Sequence, residues 1–180
     1  MKNSSPNLST GSSLIVPRVM GLDPGSQITG VGIVEQHGSK LVWIAHEAIR
    51  LPKGDLGERL RVLYQQLLEI ILQYRPTVMA IEKVFIAKNP HSALVLGHAR
   101  GVAMLAAVNN GLDVQELAAT EIKKSIVGRG RADKKQVQHM VRVLLSLRES
   151  PQEDASDALA AAICQLHLMQ MQRAIRESIQ

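Results

Sequence analysis

Four acidic residues stand where carboxylates could do chemistry. Asp23 follows a short apolar run and precedes a Pro-Gly turn, and Glu82 ends the apolar segment Thr77–Ile81. Asp154 and Asp157 are three residues apart near the start of a predicted helix, so they share one helical face. Oxygen ligands without cysteine suit hard cations such as Mg²⁺ or Mn²⁺, and two such ions about 3.5–4 Å apart catalyse phosphodiester hydrolysis. The spacing makes a metal-dependent nuclease one hypothesis.

Each of these acids also has a purely structural explanation. Asp23 suits a turn, Glu82 suits the exposed end of a strand, and acids near a helix start complement the helix dipole. We predict that the last helix opens with a capping box from Ser150 to Glu153, which places Asp157 about two turns in, beyond most of the dipole's effect. Spacing alone leaves both explanations open.

The composition narrows the classes of function. The 180 residues are 46% hydrophobic and 21% charged, which suits one folded domain, and the net charge of +5 permits a polyanionic partner. An aromatic content of 2% excludes a stacking platform for single strands. The one cysteine, Cys164, excludes a disulfide scaffold, fits a reducing cytoplasm, and is expected to be buried. No apolar run approaches the ~18 residues that span a bilayer, so we expect no membrane partner.

The hydrophobic pattern predicts an α/β fold with a mixed sheet flanked by helices. The first 16 residues are polar and are predicted to form a disordered tail before a single domain over residues 17–176. Strands are predicted over residues 18–22, 29–36, 40–48, 77–81 and 112–117, the first three as an antiparallel meander. Helices are predicted from Asp55, where Glu58 completes a capping box, and over 92–108, 121–127, 133–147 and from 150 onward.

Five segments in order resemble one family closely, the RuvC family of bacterial Holliday junction resolvases. They are GLDPGS-x-x-TG-x-G-I (21–33), AIE-x-VF-x-AKN (80–89), SAL-x-LG-x-ARGVA (92–103), VG-x-G-x-A-x-K-x-QVQHMV (127–141) and DA-x-DALA (154–160). The resemblance covers about residues 19 to 168. It implies a ribonuclease-H-like fold, in which a mixed five-stranded sheet runs as an antiparallel meander and then parallel strands, and it implies a homodimer.

The resemblance also assigns roles by matching positions. It makes the four acids catalytic residues and metal ligands: Asp23, Glu82, Asp154 and Asp157. It implies two Mg²⁺ ions per subunit, for which Mn²⁺ can substitute. Lys123 and Lys134 match basic positions that contact DNA, and Phe85 matches an aromatic residue near the strand-exchange point.

The activity that the resemblance implies is resolution of four-way junction DNA by paired symmetric nicks, in homologous recombination and DNA repair. The implied partner is the RuvA–RuvB branch-migration complex, and the expected location is cytoplasmic. Gly97 and Gly101 would let another helix approach closely, either in a dimer or within one subunit. Two other classes stay open at this point: an actin-like ATPase, which shares the Asp-x-Gly turn, and a junction-binding protein without catalysis.

Overall fold

A computed structural model describes residues 16–83 and 90–179, so Phe85 and nearly all of the predicted tail lie outside the described residues. The strands are β1 (Arg18–Asp23), β2 (Ile28–His37), β3 (Lys40–Arg50), β4 (Val78–Glu82) and β5 (Asp113–Leu117). The helices are α1 (Leu56–Tyr74), α2 (Pro90–Asn109), α3 (Ala119–Val127), α4 (Lys134–Leu144) and α5 (Glu153–Ile179).

The five strands form one mixed sheet in the order β3-β2-β1-β4-β5. The first three strands are an antiparallel meander, and β4 and β5 run parallel to β1. The β2–β3 turn falls where the sequence predicts it, with Gly38 at a φ of 61°. The predicted fold class is therefore confirmed.

Strand alternation divides the core into two layers. In β1, Met20 and Leu22 belong to the cluster that α1 and α2 cover, while Val19 belongs to the cluster that α3, α4 and α5 cover. In β4, Met79 belongs to the cluster that α1 and α2 cover, and Val78 belongs to the cluster on the α5 side. Since successive side chains alternate across a sheet, Asp23 and Glu82 end the rows that face α5.

Helix α5 lies directly on the backbone of the sheet. A Cβ atom added to Gly21 would lie 1.8 Å from the carbonyl oxygen of Ala158, and one added to Gly30 would lie 2.0 Å from that of Asp154. A Cβ on Gly32 would come within 2.7 Å of the backbone of Leu159. These three glycines, the glycine floor, fix how closely the helix that carries two of the acids approaches the strand that carries another.

Two helix starts differ from the predictions. Asp55 caps α1 by accepting a hydrogen bond from the Glu58 N–H at 3.2 Å, but the Glu58 side chain binds Arg61, so the predicted capping box is only half formed. The prediction that Ser150 caps the last helix was wrong. The first intrahelical bond of α5 joins the Ser156 N–H to the carbonyl of Gln152 at 2.8 Å, and the helix begins at Glu153.

This later start brings Asp154 and Asp157 closer to the N-terminal end of the helix. Asp154 lies in the first turn of α5, and Asp157 lies just over one turn in rather than two. The helix dipole therefore reaches Asp157 more than we predicted, since its effect falls off within about the first turn. Position in the helix does not by itself separate a functional acid from a structural one here.

One segment contradicts the expectation that no run would be long and apolar enough to span a bilayer. Within α2, the window Ser92–Asn109 passes that test by length and composition, with a mean hydropathy of 1.2. The helix packs one face into the core through Ala99 and Ala103, and Arg100 forms an ion pair with Glu116 on β5. The helix is part of a folded layer, and its outer face is apolar.

Candidate active site

Asp23 and Glu82 reach the site from the ends of neighbouring parallel strands. The register pairs Leu22 with Ile81, so the next residue of each strand is one of the two acids. Parallel strands place their carboxyl ends at the same edge of the sheet. The turn after Asp23 is tight, because a Cβ on Gly25 would lie 2.0 Å from the carbonyl oxygen of Ile28. This turn leads the chain away from the acid.

Asp154 and Asp157 are brought to the same edge by the start of α5. The glycine floor holds this helix against β1 and β2, with the Asp154 carbonyl over Gly30. Asp157 keeps 25% of its side chain exposed and lies beside Glu82 in the lining of one cavity. The two acids on strands and the two acids on α5, which are far apart in the sequence, therefore lie at the same edge of the sheet.

The pKa of Asp23 reflects its burial and the proximity of the other three acids. Burial is the largest cause that raises its pKa, to about 7. The negative charges of Asp157, Glu82 and Asp154 raise the pKa further, in that order, and Lys134 opposes them. A carboxyl group that shares its surroundings with three others, and is itself mostly buried, is costly to ionise.

Glu82 and Asp157 show the same pattern. Burial raises the pKa of Glu82, the charge of Asp157 adds to the shift, and Lys123 and Lys134 lower it. Burial also raises the pKa of Asp157, although a hydrogen bond from Lys134 acts in the opposite direction. Perturbed carboxyl groups that act on one another are typical of functional sites.

Lys134 is the cation that the described residues place inside this cluster. Its Nζ lies 2.8 Å from Asp157 Oδ2 and 2.5 Å from Glu153 Oε1. Burial opposes its charge, but these two carboxylates outweigh burial and raise the pKa of Lys134. Lys134 begins α4, which Asp133 and Gln136 cap reciprocally, so the helix start is firmly placed.

A cavity of about 220 Å³ opens at this cluster. Its polar lining consists of two acids and the two lysines that the resemblance assigns to DNA: Glu82, Asp157, Lys123 and Lys134. Lys123 forms no ion pair with another residue in the described ranges, whereas Lys134 forms two. The two lysines thus share a cavity but differ in how their charge is balanced.

The donor chemistry of the cluster fits divalent cations that prefer oxygen. Four carboxylates, three of them with raised pKa values, gain most from a cation that neutralises their repulsion. Within residues 16–83 and 90–179, however, no three His, Cys, Asp or Glu side chains lie close enough to hold one ion. The carboxylates are near enough to shift one another's pKa values, but they have to draw closer to bind the same metal ion. In this arrangement the positive charge of Lys134 neutralises Asp157.

The prediction from sequence missed two parts of the site. It gave Glu153 a capping role, but Glu153 binds Lys134 instead. It also did not identify the glycine floor. The signal was present, since Gly30 and Gly32 alternate with Val31 and Ile33, and period-two glycines leave one face of a strand without side chains. Cys164 is fully buried, as predicted.

Comparison with known proteins gives the family. The family model described as "Crossover junction endodeoxyribonuclease RuvC" matches residues 19–165. A RuvC protein of Alkalilimnicola ehrlichii is 52% identical over 163 residues, which is 91% of this chain and 99% of that one. A RuvC protein of Pectobacterium atrosepticum is 55% identical over 152 residues, covering 84% of this chain and 89% of its own.

Solved structures agree with these relatives. The Thermus thermophilus RuvC in complex with a Holliday junction substrate superposes with a TM-score of 0.82 at 30% identity, covering 86% of this chain and 96% of that one. A yeast mitochondrial Holliday junction resolvase shares the fold alone, with a TM-score of 0.64 at 11% identity. Neither open alternative, an ATPase or a binding protein without catalysis, agrees with these relatives. The chain belongs to the RuvC family of crossover junction endodeoxyribonucleases, which are metal-dependent nucleases.

Proposed function

We propose that Asp23, Glu82, Asp154 and Asp157 hold two Mg²⁺ ions in each subunit and that this site makes paired symmetric nicks in four-way junction DNA. The observation that carries the proposal is the mutual perturbation of these acids at one edge of the sheet, where the pKa of Asp23 rises to about 7. When bound, such ions activate the attacking water and stabilise the leaving oxygen. Mn²⁺ offers the same preference for oxygen and substitutes for Mg²⁺.

The side chains of this protein have separate tasks in that reaction. The acids from β1 and β4 are held by strands, and the other two are held by a helix that the glycine floor fixes. The backbone positions are therefore set, and the side chains alone have to draw together around an ion. Lys123 lines the cavity, forms no ion pair among the described residues, and binds a phosphate of the substrate strand. Lys134 neutralises Asp157 through their ion pair; a divalent cation held by the acids would take over that task and would free Lys134 for a phosphate.

Cleavage of a synthetic four-way junction, mapped to the nucleotide, tests this proposal. With Mg²⁺ the wild type should nick two opposed strands symmetrically, and Ca²⁺ should support binding with little cleavage because its coordination is looser. Glu82→Gln should abolish cleavage and keep binding. The matched control is Glu69→Gln, an exposed residue of α1, the helix that covers the sheet face opposite to α5. Equal cleavage by Glu82→Gln and Glu69→Gln would refute the metal site.

We further propose that the outer face of α2 forms the homodimer. Leu94, Leu105 and Val108 are 60%, 54% and 61% exposed. A Cβ added to Gly97 or Gly101 would meet nothing within 4 Å, so a second helix can approach there. A two-fold dimer presents two sites to the two symmetric strands of a junction.

The dimer proposal has its own test. Leu105→Glu should give monomers in analytical ultracentrifugation and should turn paired nicks into single, uncoupled nicks. Glu replacing Leu72, which is 60% exposed on α1, is the control and should leave the dimer intact. A dimeric Leu105→Glu variant would place the interface elsewhere.

Two further parts of the proposal rest on the resemblance and the composition. The RuvA–RuvB complex is the partner expected to deliver junctions, and co-purification with and without junction DNA tests it. A cytoplasmic location suits a chain with one buried thiol. Fractionation of cells expressing the tagged protein tests that location.

A further inference from the structure

A second cavity, of about 520 Å³, opens beside the catalytic turn. It is bounded by the start of β2, the end of β3, the loop after it, α1 and α2. Three cations line it, Arg50, Lys53 and Arg59, and no acidic side chain of the described residues does. We call these residues the basic cleft. It contains none of the four acids and neither of the two lysines that match DNA-contacting positions.

The charges of the basic cleft are not balanced within the protein. Across residues 16–83 and 90–179, neither Arg50 nor Lys53 forms an ion pair, and both residues are exposed. The next two acids along the chain are otherwise engaged, because Asp55 caps α1 and Glu58 binds Arg61. An anion that enters the cleft therefore meets two uncompensated positive charges.

Arg59 connects the cleft to the catalytic turn. Its Nη2 donates a hydrogen bond to the carbonyl oxygen of Ser26, three residues after Asp23. Its Nε is buried and has no hydrogen-bond partner among the described residues. This unsatisfied N–H leaves the Arg59 guanidinium with a donor that a phosphate oxygen can use.

The position of the cleft fits the path of a nucleic acid strand. Arg50 ends β3 and is paired with Ile28, at the same sheet edge as Asp23. Strand β3 is second from β1 in the sheet, so the cleft lies on the order of 10 Å from the acids at ~4.8 Å per strand. Because each nucleotide rises by about 3.4 Å along the helix axis and neighbouring phosphates are further apart than that, this distance is at most about three nucleotides along a DNA strand.

We infer that the basic cleft binds a backbone phosphate of the junction strand that is cut, within about three nucleotides of the nick. The inference rests on the proposed function, since it takes the acids as the place of cleavage. It adds a second anchor on the opposite side of Asp23 from Lys123. Two anchors on either side of the cut fix the register of the strand, which one anchor cannot do.

A phosphate-by-phosphate binding measurement tests this inference. Junctions carrying one neutral methylphosphonate at each of the five positions on either side of the nick are titrated in EDTA with wild type and with the double variant Arg50→Gln/Lys53→Gln. Besides any position that contacts Lys123, wild type should lose affinity at one position on the cleft side of the nick, within about three nucleotides of it. The double variant should bind the unmodified junction more weakly, with a salt slope lower by about 1–2, and should no longer respond to that position.

The control is Lys40→Gln, an exposed cation at the opposite end of β3, which should leave both the salt slope and the methylphosphonate profile unchanged. Arg59 is left intact because it also holds the catalytic turn. Melting temperatures confirm that every variant is folded. If the double variant keeps the wild-type profile, the cleft does not bind the strand.

Failure of the cleft can be told apart from failure of the proposed function. Binding in EDTA does not depend on metals, and cleavage by wild type with Mg²⁺ is scored on the same junctions. Symmetric cleavage by wild type together with an unchanged profile in the double variant overturns only the cleft. Absence of cleavage by wild type overturns the proposed function, whatever the profile shows.

Discussion

The two faces of the sheet pack against their helices in different ways. The face towards α1 and α2 carries large apolar side chains, such as Met20, Leu22 and Ile81, packed against Leu63 and Leu67. The face towards α5 carries the glycine floor, and the helix above it presents mainly alanine. On one face, side chains fill the space between layers; on the other, backbone meets backbone.

The difference explains where the active site lies. Layers separated by long side chains can shift by several tenths of an ångström as rotamers adjust, whereas touching backbones cannot. The acids all face the side where backbone contacts leave the helix little room to shift, and two of them lie on the helix that touches the floor. The face towards α1 and α2 contributes buried apolar area, and the face towards α5 fixes the positions of the acids.

The largest effect should come from filling the glycine floor. In Gly21→Ala the new methyl group would lie 1.8 Å from the Ala158 carbonyl oxygen and 2.7 Å from the Ala162 nitrogen, so α5 has to move. We expect the free energy of unfolding to fall by more than about 3 kcal/mol and cleavage to be lost. Urea denaturation and junction cleavage measure the two outcomes.

Gly130→Ala is the matched control for this change. Its new methyl group would lie 3.5 Å from the nearest atom, an ordinary contact, and its φ is not in the left-handed region. We expect stability to change by less than about 1 kcal/mol there. A Gly21→Ala protein as stable and active as Gly130→Ala would show that the two faces do not differ as described.

A slightly smaller effect on stability, with a different effect on activity, is expected on the opposite face. Leu67 is fully buried in the cluster below α1. Leu67→Ala should lower the free energy of unfolding by about 2–4 kcal/mol, through lost burial and a cavity. Well below its melting temperature the variant should cut junctions at the wild-type rate. A loss of cleavage in fully folded Leu67→Ala would show that both faces set the geometry.

The next effect comes from the negative charge of Asp23, which lies on the face of the sheet towards α5. Burial and three neighbouring carboxylates raise the pKa of Asp23 to about 7, while its unfolded value is near 3.9. Between about pH 4 and pH 7 the folded state therefore binds more protons than the unfolded state, and this group makes stability fall as pH rises. Above pH 7 the penalty is fully present.

Asp23→Asn should remove that penalty. In EDTA at pH 8 we expect the variant to be more stable than wild type by about 2 kcal/mol, with a smaller gain at pH 5, and to lose cleavage. Urea denaturation at both pH values measures this difference. Asp113→Asn, at the exposed start of β5, should change stability little at either pH. If Asp23→Asn destabilises the metal-free protein at pH 8, the acids do not repel one another as described.

The smallest effect should separate the two lysines of the cavity. In EDTA, Lys123→Gln should lower the salt slope of junction binding by about 1, because Lys123 is free to bind a phosphate. Lys134→Gln should lower the slope by less, since Asp157 and Glu153 hold that lysine. With Ca²⁺ added, the two variants should converge. Equal slopes for both variants in EDTA would mean that the ion pairs of Lys134 do not restrain it.

Much of the fold could be predicted from local patterns. The strand order in the chain followed from alternating apolar residues, and the meander followed from short turns such as that at Gly38. The acids could be identified because Asp23 and Glu82 end apolar strands, a signal that is local to each residue. That these two acids come together required only the general rule that parallel strands end at one edge.

What could not be predicted depends on contacts between distant elements. The start of α5 was placed at Ser150 because that residue has the composition of a cap, but the first helical bond is accepted by Gln152. The ion pairs of Lys134 to Glu153 and Asp157 join α4 to α5, and no local pattern contains such a pair. The basic cleft likewise joins β3, α1 and the turn after β1.

The order of the elements along the chain has a consequence for biosynthesis. Helix α5 is the last element, yet it covers the centre of the sheet and carries Asp154 and Asp157. Before α5 is made, β1 to β5 can pair and collect α1 and α2, but the glycine floor on the other face is uncovered and two of the four acids are missing. On the proposed role of the four acids, a nascent chain therefore cannot cut DNA before α5 has emerged and docked.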